Sequence, residues 1–314
     1  MSIESVYWVI THNCNDTCAH CYNASRPGGA SLSQEDAIRI VGHLPSDPPA
    51  RVILSGGEPL TERRLLLRTL DALNDRYAAG TQFMVQTNGD LLTPERLDEL
   101  LAHHVTRIDI ASIDRYHRHQ GARREALEAL FLSRGLTGES PDALVAKGAL
   151  TKHEPSFGFW GANENFWIGG NWPRGRAVTN RNWLRDPEHN FCAIVSGAIG
   201  FLGGVSGVPQ EIAIQLSELY PCCPSTAFPI ADLREESVDD ALDRIRNHPA
   251  WRALDRGQPR ELGSEAGIAT EHADARIQAL GNVCLWCDEY FRKHYQGPRV
   301  RRETQFVPLE SLEP

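Results

Sequence analysis

Short apolar segments alternate with helical patterns between residues 6 and 133 of this 314-residue chain. β-Branched and aromatic runs, which are typical of strands, occupy 6–11, 51–55, 82–86 and 105–111. Apolar residues at helical spacing separate these runs, as in 33–44, where Ser33 is a candidate N-cap. Strands that alternate with helices form parallel sheets with helical crossovers. The sequence therefore predicts an α/β fold.

Three cysteines follow the first predicted strand at the spacing CX3CX2C, namely Cys14, Cys18 and Cys21. Such spacing is typical of metal ligands, and we expect thiols to stay reduced in a chain without an export signal. Three thiolates leave one iron of a [4Fe–4S] cluster open to a small molecule. The alternatives are a zinc knuckle completed by His12 or His20, or buried cysteines without a metal.

Glycine and polar motifs follow the next three predicted strands. They are Gly56-Gly57-Glu58-Pro59, Thr87-Asn88-Gly89 and Ser112-Ile113-Asp114. The carboxyl ends of parallel strands share one face of an α/β barrel, and that face carries the site. The carboxylate of Glu58 suits an ammonium group, and the two glycines before it allow close backbone approach. A simple turn is the alternative interpretation of the glycine motif.

With these motifs the chain resembles the radical SAM (S-adenosylmethionine) superfamily over roughly residues 5–115. The cysteine triad matches the family's cluster motif, and His20 occupies the position before its last cysteine. The resemblance implies that the cofactor contacts come from His20, Gly56, Gly57, Glu58, Pro59, Thr87, Asn88, Ser112 and Asp114. A counterpart of the family's adenine-contacting motif is not evident in 140–170.

The resemblance also implies a fold and a reaction. The fold is a partial (β/α)6 barrel over residues 1–180. The reaction is reductive cleavage of SAM to methionine and a 5′-deoxyadenosyl radical, which abstracts a hydrogen atom from the substrate. The protein positions the reactants and excludes water, while the cofactor carries the difficult chemistry.

Five further cysteines lie after residue 190. They are a lone Cys192, the pair Cys222-Cys223 and the CX2C pair Cys284 and Cys287. This arrangement resembles that of the Twitch domain. The resemblance implies that residues 181–314 form such a domain around an auxiliary [4Fe–4S] cluster. Its expected ligands are Cys192, Cys222, Cys284 and Cys287, with Cys222 and Cys223 able to exchange roles. A structural zinc on the same thiolates, or Cys192 as a buried apolar residue, are the alternatives.

The segment 155–180 is dense in glycine, tryptophan, asparagine and proline. It falls where the last barrel strands would meet the second domain. We therefore expect Asn163, Glu164, Arg174 and Arg176 to contact a polar substrate there. The alternative is that the tryptophans are core residues and that Pro-Arg-Gly is a turn.

The overall charge of −9 disfavours a sequence-independent grip on nucleic acid, which needs clustered cations. No run of eighteen apolar residues occurs, so a membrane span is not expected. The N-terminus lacks a basic segment followed by an apolar one, which favours a cytoplasmic location. We expect a small-molecule substrate and a flavodoxin- or ferredoxin-type reductant.

The specific reaction implied by the resemblance is oxidation of a sugar or aminocyclitol alcohol, with the auxiliary cluster as electron acceptor. A redox-neutral epimerisation is the first alternative, with Cys223 as the hydrogen donor. Modification of a ribosomal peptide is a second alternative. A non-catalytic iron–sulfur or zinc-binding module is the third.

Overall fold

The protein was analysed as a computed structural model. It describes residues 3–77, 80–110, 122–138, 154–159, 172–194, 196–203, 210–298 and 300. The predicted site residues Ser112, Asp114, Asn163 and Glu164 lie outside this part of the chain.

Nine strands form one sheet in the described part of the chain. They are β1 (Ser5–Thr11), β2 (Arg51–Gly56), β3 (Gln82–Thr87), β4 (Val105–Ile110), β5 (Thr137–Gly138), β6 (Ser156–Phe159), β7 (Glu211–Gln215), β8 (Glu218–Tyr220) and β9 (Ala231–Asp232). Every residue of β1 is buried, as expected of a strand covered on both faces of a parallel sheet. The four strands predicted from the sequence are all confirmed.

The strand order is β5-β6-β4-β3-β2-β1-β7-β8-β9. Neighbours are parallel from β5 to β7, whereas β7, β8 and β9 pair antiparallel. The prediction of an α/β fold with a parallel sheet is thus confirmed. β7, which comprises residues 211–215, pairs with β1 on the side opposite β2. The sheet therefore includes residues beyond position 180. The domain division at that residue stays a prediction.

The described helices longer than one 3₁₀ turn are α1 (Gln34–His43), α2 (Arg63–Tyr77), α3 (Pro94–Ala102), α4 (Ala122–Ser133), α5 (Gly175–Thr179), α6 (Val238–Ile245), α7 (Pro249–Asp255), α8 (Thr270–Leu280) and α9 (Val283–Lys293). Local sequence sets their starts. Ser33 caps α1 by accepting from the Asp36 amide, and Thr93 caps α3 with Pro94 in its first turn. The predicted start of α1 at Ser33 is confirmed.

Aromatic side chains join the C-terminal helices into one buried core. Trp251 of α7 stacks near Phe291 of α9, and its indole N–H donates to the Tyr295 hydroxyl at 3.0 Å. Burying groups of this size is the main stabilising contribution here. The core is continuous with that of the sheet and includes Cys192 and Cys284. In the part of the chain that is described, no helix is long and apolar enough to cross a membrane.

Candidate active site

The first cysteine loop follows β1 directly. The Cys14 amide donates to the Arg26 carbonyl at 3.1 Å, and the Cys21 amide donates to the Cys18 carbonyl at 3.2 Å. Cys14 is buried, while Cys18 and Cys21 are half-buried. All eight cysteines of the chain are free thiols. The loop therefore presents three thiols toward one opening at the end of the sheet.

The three thiols are close enough to influence one another. Burial raises the pKa of Cys14 to about 11, opposed by the Asp16 amide, which donates to its sulfur at 3.4 Å. Burial, with Asp16 and the neighbouring thiols Cys21 and Cys14, raises the pKa of Cys18 to about 12. A cationic metal centre would relieve this mutual repulsion of thiolates. The donor set of soft sulfurs fits an iron–sulfur cluster.

The glycine motif packs against the cysteine loop. A Cβ on Gly57 would lie 2.9 Å from the Cys14 Cβ and would overlap the Asn13 carbonyl oxygen. A Cβ on Gly56 would lie 2.7 Å from the Thr11 carbonyl oxygen. Side chains cannot approach so closely, so only glycine lets the end of β2 sit against the loop after β1.

Glu58 is fully buried and links two motif loops. Its carboxylate accepts from the Thr87 hydroxyl at 2.8 Å, the Asn88 amide at 2.7 Å and the Leu60 amide at 3.0 Å. Burial raises its pKa to about 7, and these hydrogen bonds oppose the rise. Because three protein donors already satisfy the carboxylate, its evident role is to hold the loops together. Direct contact with the SAM ammonium stays a prediction.

Asn88 extends this network to the cysteine loop. Its side-chain amide donates to Asn15 at 2.8 Å, and Asn15 donates to Asp90 at 3.0 Å. Pro59 opens the 3₁₀ turn Pro59–Glu62 beneath the motif. The loops after β1, β2 and β3 are thus mutually braced, as a site at strand ends requires.

An open cleft of about 670 Å³, counting the solvent at its mouth, lies between these loops. The lining residues are Tyr7, Cys14, Asp16, Cys18, His20, Cys21, Tyr22, Asn23, Ser25, Ser55, Gly56, Gly57, Gln86, Thr87, Asn88 and Arg176. The cleft thus brings the three predicted cluster ligands together with the glycine motif, the β3 motif, His20 and Arg176.

Three lining side chains that sequence analysis missed form a polar group on adjacent strands. The Tyr7 hydroxyl donates to Gln86 at 2.6 Å and lies 2.8 Å from the Ser55 hydroxyl. Ser55 and Gln86 each follow three apolar residues in their strands, so the sequence shows the polar positions but not the direction in which the side chains point. Such residues on a half-buried strand often face a site.

The predicted auxiliary cysteines lie together in the C-terminal part of the core. Cys192 sits on the 3₁₀ turn Phe191–Ala193, and Cys222 follows β8. Cys284 and Cys287 lie one turn apart at the start of α9, which Asn282 caps by accepting from the Cys284 amide at 2.8 Å. The positive end of the helix dipole favours thiolates at this position.

The four thiols interact with one another electrostatically. Burial raises the pKa of Cys284 to about 12. It also raises the pKa of Cys192, Cys222 and Cys287, and neighbouring cysteines of the set add to each rise. Arg174, predicted to contact substrate, is found beside this set and not among the cleft residues. By donor type alone, an all-thiolate set suits an iron–sulfur cluster or zinc.

Among the described residues, no three His, Cys, Asp or Glu side chains converge closely enough to hold a single metal ion. In a [4Fe–4S] cluster each thiolate binds a different iron. The sulfurs that ligate a cluster therefore surround the whole cluster and do not need to lie within bonding distance of one metal ion.

Cys223 packs with Tyr7 and Val9, in a different buried cluster from Cys192, Cys284 and Cys287. Its sulfur lies 2.9 Å from the Tyr22 hydroxyl, which lies 3.4 Å from the Tyr7 hydroxyl. Burial raises the pKa of Cys223 to about 12, so it remains a neutral thiol. A hydrogen-bonded chain thus connects Cys223 with side chains that line the cleft.

Residues 8–129 match the sequence model of the Radical SAM superfamily. An AdoMet-dependent heme synthase from Methanosarcina barkeri is 37% identical over 157 residues, which are 48% of this chain and 40% of that protein. A GTP 3′,8-cyclase from Synechococcus is 34% identical over 102 residues, 32% of this chain and 30% of the relative. The chain thus covers less than half the length of these relatives.

Two solved structures share the fold. The crystal structure of BtrN in complex with AdoMet and 2-DOIA is 14% identical, with a TM-score of 0.51 over 82% of this chain and 90% of that chain. Native anSMEcpe with bound AdoMet is 12% identical, with a TM-score of 0.50 over 80% of this chain and 84% of that chain. At these identities the likeness concerns the fold alone.

The family match and the braced motif loops show that residues 8–129 are similar to the Radical SAM superfamily. Both of these named relatives are enzymes. The matched segment contains Cys14, Cys18 and Cys21, the residues that would hold the [4Fe–4S] cluster of such an enzyme, with SAM as its partner.

Proposed function

We propose that this chain is a radical SAM oxidoreductase that oxidises an alcohol of a small polar metabolite, a sugar or an aminocyclitol. The observation that carries the proposal is the second set of four thiols, of which Cys192, Cys284 and Cys287 are buried and Cys222 is half-buried. Four thiolates would ligate every iron of an auxiliary cluster. Such a centre is suited to electron transfer and leaves no iron for substrate.

When bound, the cluster and SAM at the cleft supply a radical that removes a hydrogen atom from the substrate, and an auxiliary cluster supplies an electron acceptor. The chain's own residues orient and shield the reactants. Glu58 and Asn88 brace the loops around the cleft. We also propose a flavodoxin- or ferredoxin-type reductant and a cytoplasmic location.

The chemistry of the cleft supports a hydroxyl-rich substrate. Tyr7, Ser55 and Gln86 are neutral groups that both donate and accept hydrogen bonds. They match alcohols better than phosphates, which are commonly bound by arginine pairs or by backbone amides at helix starts. Arg176 adds one cation near the mouth of the cleft, where its side chain donates to the Cys18 carbonyl at 2.9 Å.

A redox-neutral epimerisation is the second candidate, because Cys223 is a buried neutral thiol linked through Tyr22 to the cleft. In that reaction the thiol would return a hydrogen atom to the substrate radical. We favour oxidation, since epimerisation gives the second set of four thiols no role.

The test is an anaerobic reaction with SAM, dithionite and a panel of aminocyclitols and amino sugars in deuterated water. We expect 5′-deoxyadenosine and a product that has lost two hydrogen atoms and gained no deuterium at the reacting carbon. Cys223→Ser should form the same product. An isomer of the substrate carrying solvent deuterium, formed by the wild type and not by Cys223→Ser, would support epimerisation and refute oxidation.

A further inference from the structure

Arg174 is a buried cation between the elements that carry the auxiliary cysteines. The side chain is 3% exposed and lies 3.2 Å from the Asp288 carboxylate of α9. One guanidinium nitrogen donates to the Ser225 carbonyl at 3.1 Å and to the Cys284 carbonyl at 3.3 Å. The Ser225 amide in turn donates to the Cys222 carbonyl at 3.0 Å. Arg174 therefore connects the Cys222 loop with the start of α9.

The same guanidinium lies beside two of the segments that carry the predicted ligands, since it contacts the Cys284 carbonyl directly and the Cys222 loop through Ser225. The Asp288 carboxylate, on the same helix as Cys284 and Cys287, is its charge partner. An arginine stays charged even in a buried site. Its positive charge thus lies where negative charge would accumulate on a reduced four-thiolate centre.

We infer that Arg174 is a positioning residue of the auxiliary centre, which holds the Cys222 loop against α9 and raises the reduction potential of the cluster there. The inference rests on the proposed auxiliary cluster. Reduction adds one negative charge to a cluster, so a nearby cation stabilises the reduced form more than the oxidised form. A higher potential makes the cluster a better acceptor for an electron from the substrate.

The test compares Arg174→Gln, which removes the charge, with Arg174→Lys, which keeps it. Each purified and reconstituted variant is assayed for iron and titrated potentiometrically, with the reduced clusters followed by electron paramagnetic resonance. We expect a lower auxiliary potential in Arg174→Gln, a potential near that of the wild type in Arg174→Lys, and no change at the SAM-binding cluster. The matched control is Arg276→Gln. Arg276 forms an ion pair with Glu289, which lies next to Asp288 on α9, but Arg276 is more exposed than Arg174.

An unchanged auxiliary potential in Arg174→Gln, or an equal drop in Arg276→Gln, would overturn the inference. If Arg174→Gln does not fold, Asp288→Asn is measured instead. Removing this negative charge should raise the reduction potential of the auxiliary cluster. No rise in Asp288→Asn would then refute the role of charge. Wild-type protein with about four irons per chain, one cluster's worth, would instead refute the auxiliary cluster, and so the proposed function itself.

Discussion

At Gly57 the absence of a side chain decides the geometry of the cleft. The end of β2 lies against the Cys14 loop so closely that a Cβ would be 2.9 Å from the Cys14 Cβ. The Gly57 amide also donates to the Thr11 carbonyl at 2.6 Å, which fixes the distance between the two loops. Neither loop can therefore shift without affecting the thiol positions.

Gly57→Ala should accordingly displace the cysteine loop. We expect a loss of about 1–3 kcal/mol in the free energy of unfolding, the usual cost of overpacking, and less iron after reconstitution. Denaturant unfolding and iron assay measure both. The control is Gly42→Ala in α1, where nothing lies within 4 Å of the added carbon. It should stabilise the helix by about 0.5–1 kcal/mol. Full iron loading of Gly57→Ala would contradict the close-packing argument.

Single residues also show where sequence analysis succeeds. The spacing of Cys14, Cys18 and Cys21 and the strand-end position of Gly57 were sufficient to predict one shared cleft. The inward direction of Tyr7, Ser55 and Gln86 was not evident, because alternation along a strand does not say which face meets a site. Arg174 was assigned to substrate, since its partner Asp288 lies far away in the sequence.

Among the elements, α9 contributes two of the four predicted auxiliary thiols. Cys284 and Cys287 share one face because residues three apart are neighbours on a helix. The first turn also offers the positive end of the dipole. A short helix start thus orients half of the predicted ligand set.

Replacing Cys284 and Cys287 by alanine should therefore remove the auxiliary cluster alone. We expect about four irons per chain to remain, together with conversion of SAM to 5′-deoxyadenosine without substrate turnover. Iron assay and chromatography of the products check this. A folded double variant that has lost all of its iron would mean that the two cysteine sets are not independent.

Elements with strong periodicity, such as β1 and α1, were predicted within a residue or two of their bounds. β7 was not, because EIAIQ at 211–215 is too short to stand out in an irregular region. β7 pairs with the free edge of β1, which exists only once the sheet has formed. Pairing between segments so distant in sequence carries no local signal.

At the scale of the whole molecule, the sheet joins both halves of the chain. β1 leads directly into the first cysteine loop, and its neighbour β7 continues through β8 to Cys222. Cys14 follows β1 and Cys222 follows β8, and only β7 lies between these two strands in the sheet. The sheet therefore brings a segment of the proposed auxiliary centre near the first cysteine loop.

This arrangement predicts two clusters in each molecule. Protein purified and reconstituted without oxygen should contain about eight irons per chain, as two four-iron clusters require. Replacing Cys14, Cys18 and Cys21 together by alanine should leave about four, because the buried thiols stay intact in the core. Metal analysis of freshly purified protein distinguishes this from the zinc alternative, since zinc also accepts four thiolates. Zinc as the main metal, retained in the triple variant, would exclude an auxiliary iron–sulfur cluster and with it the proposed electron acceptor.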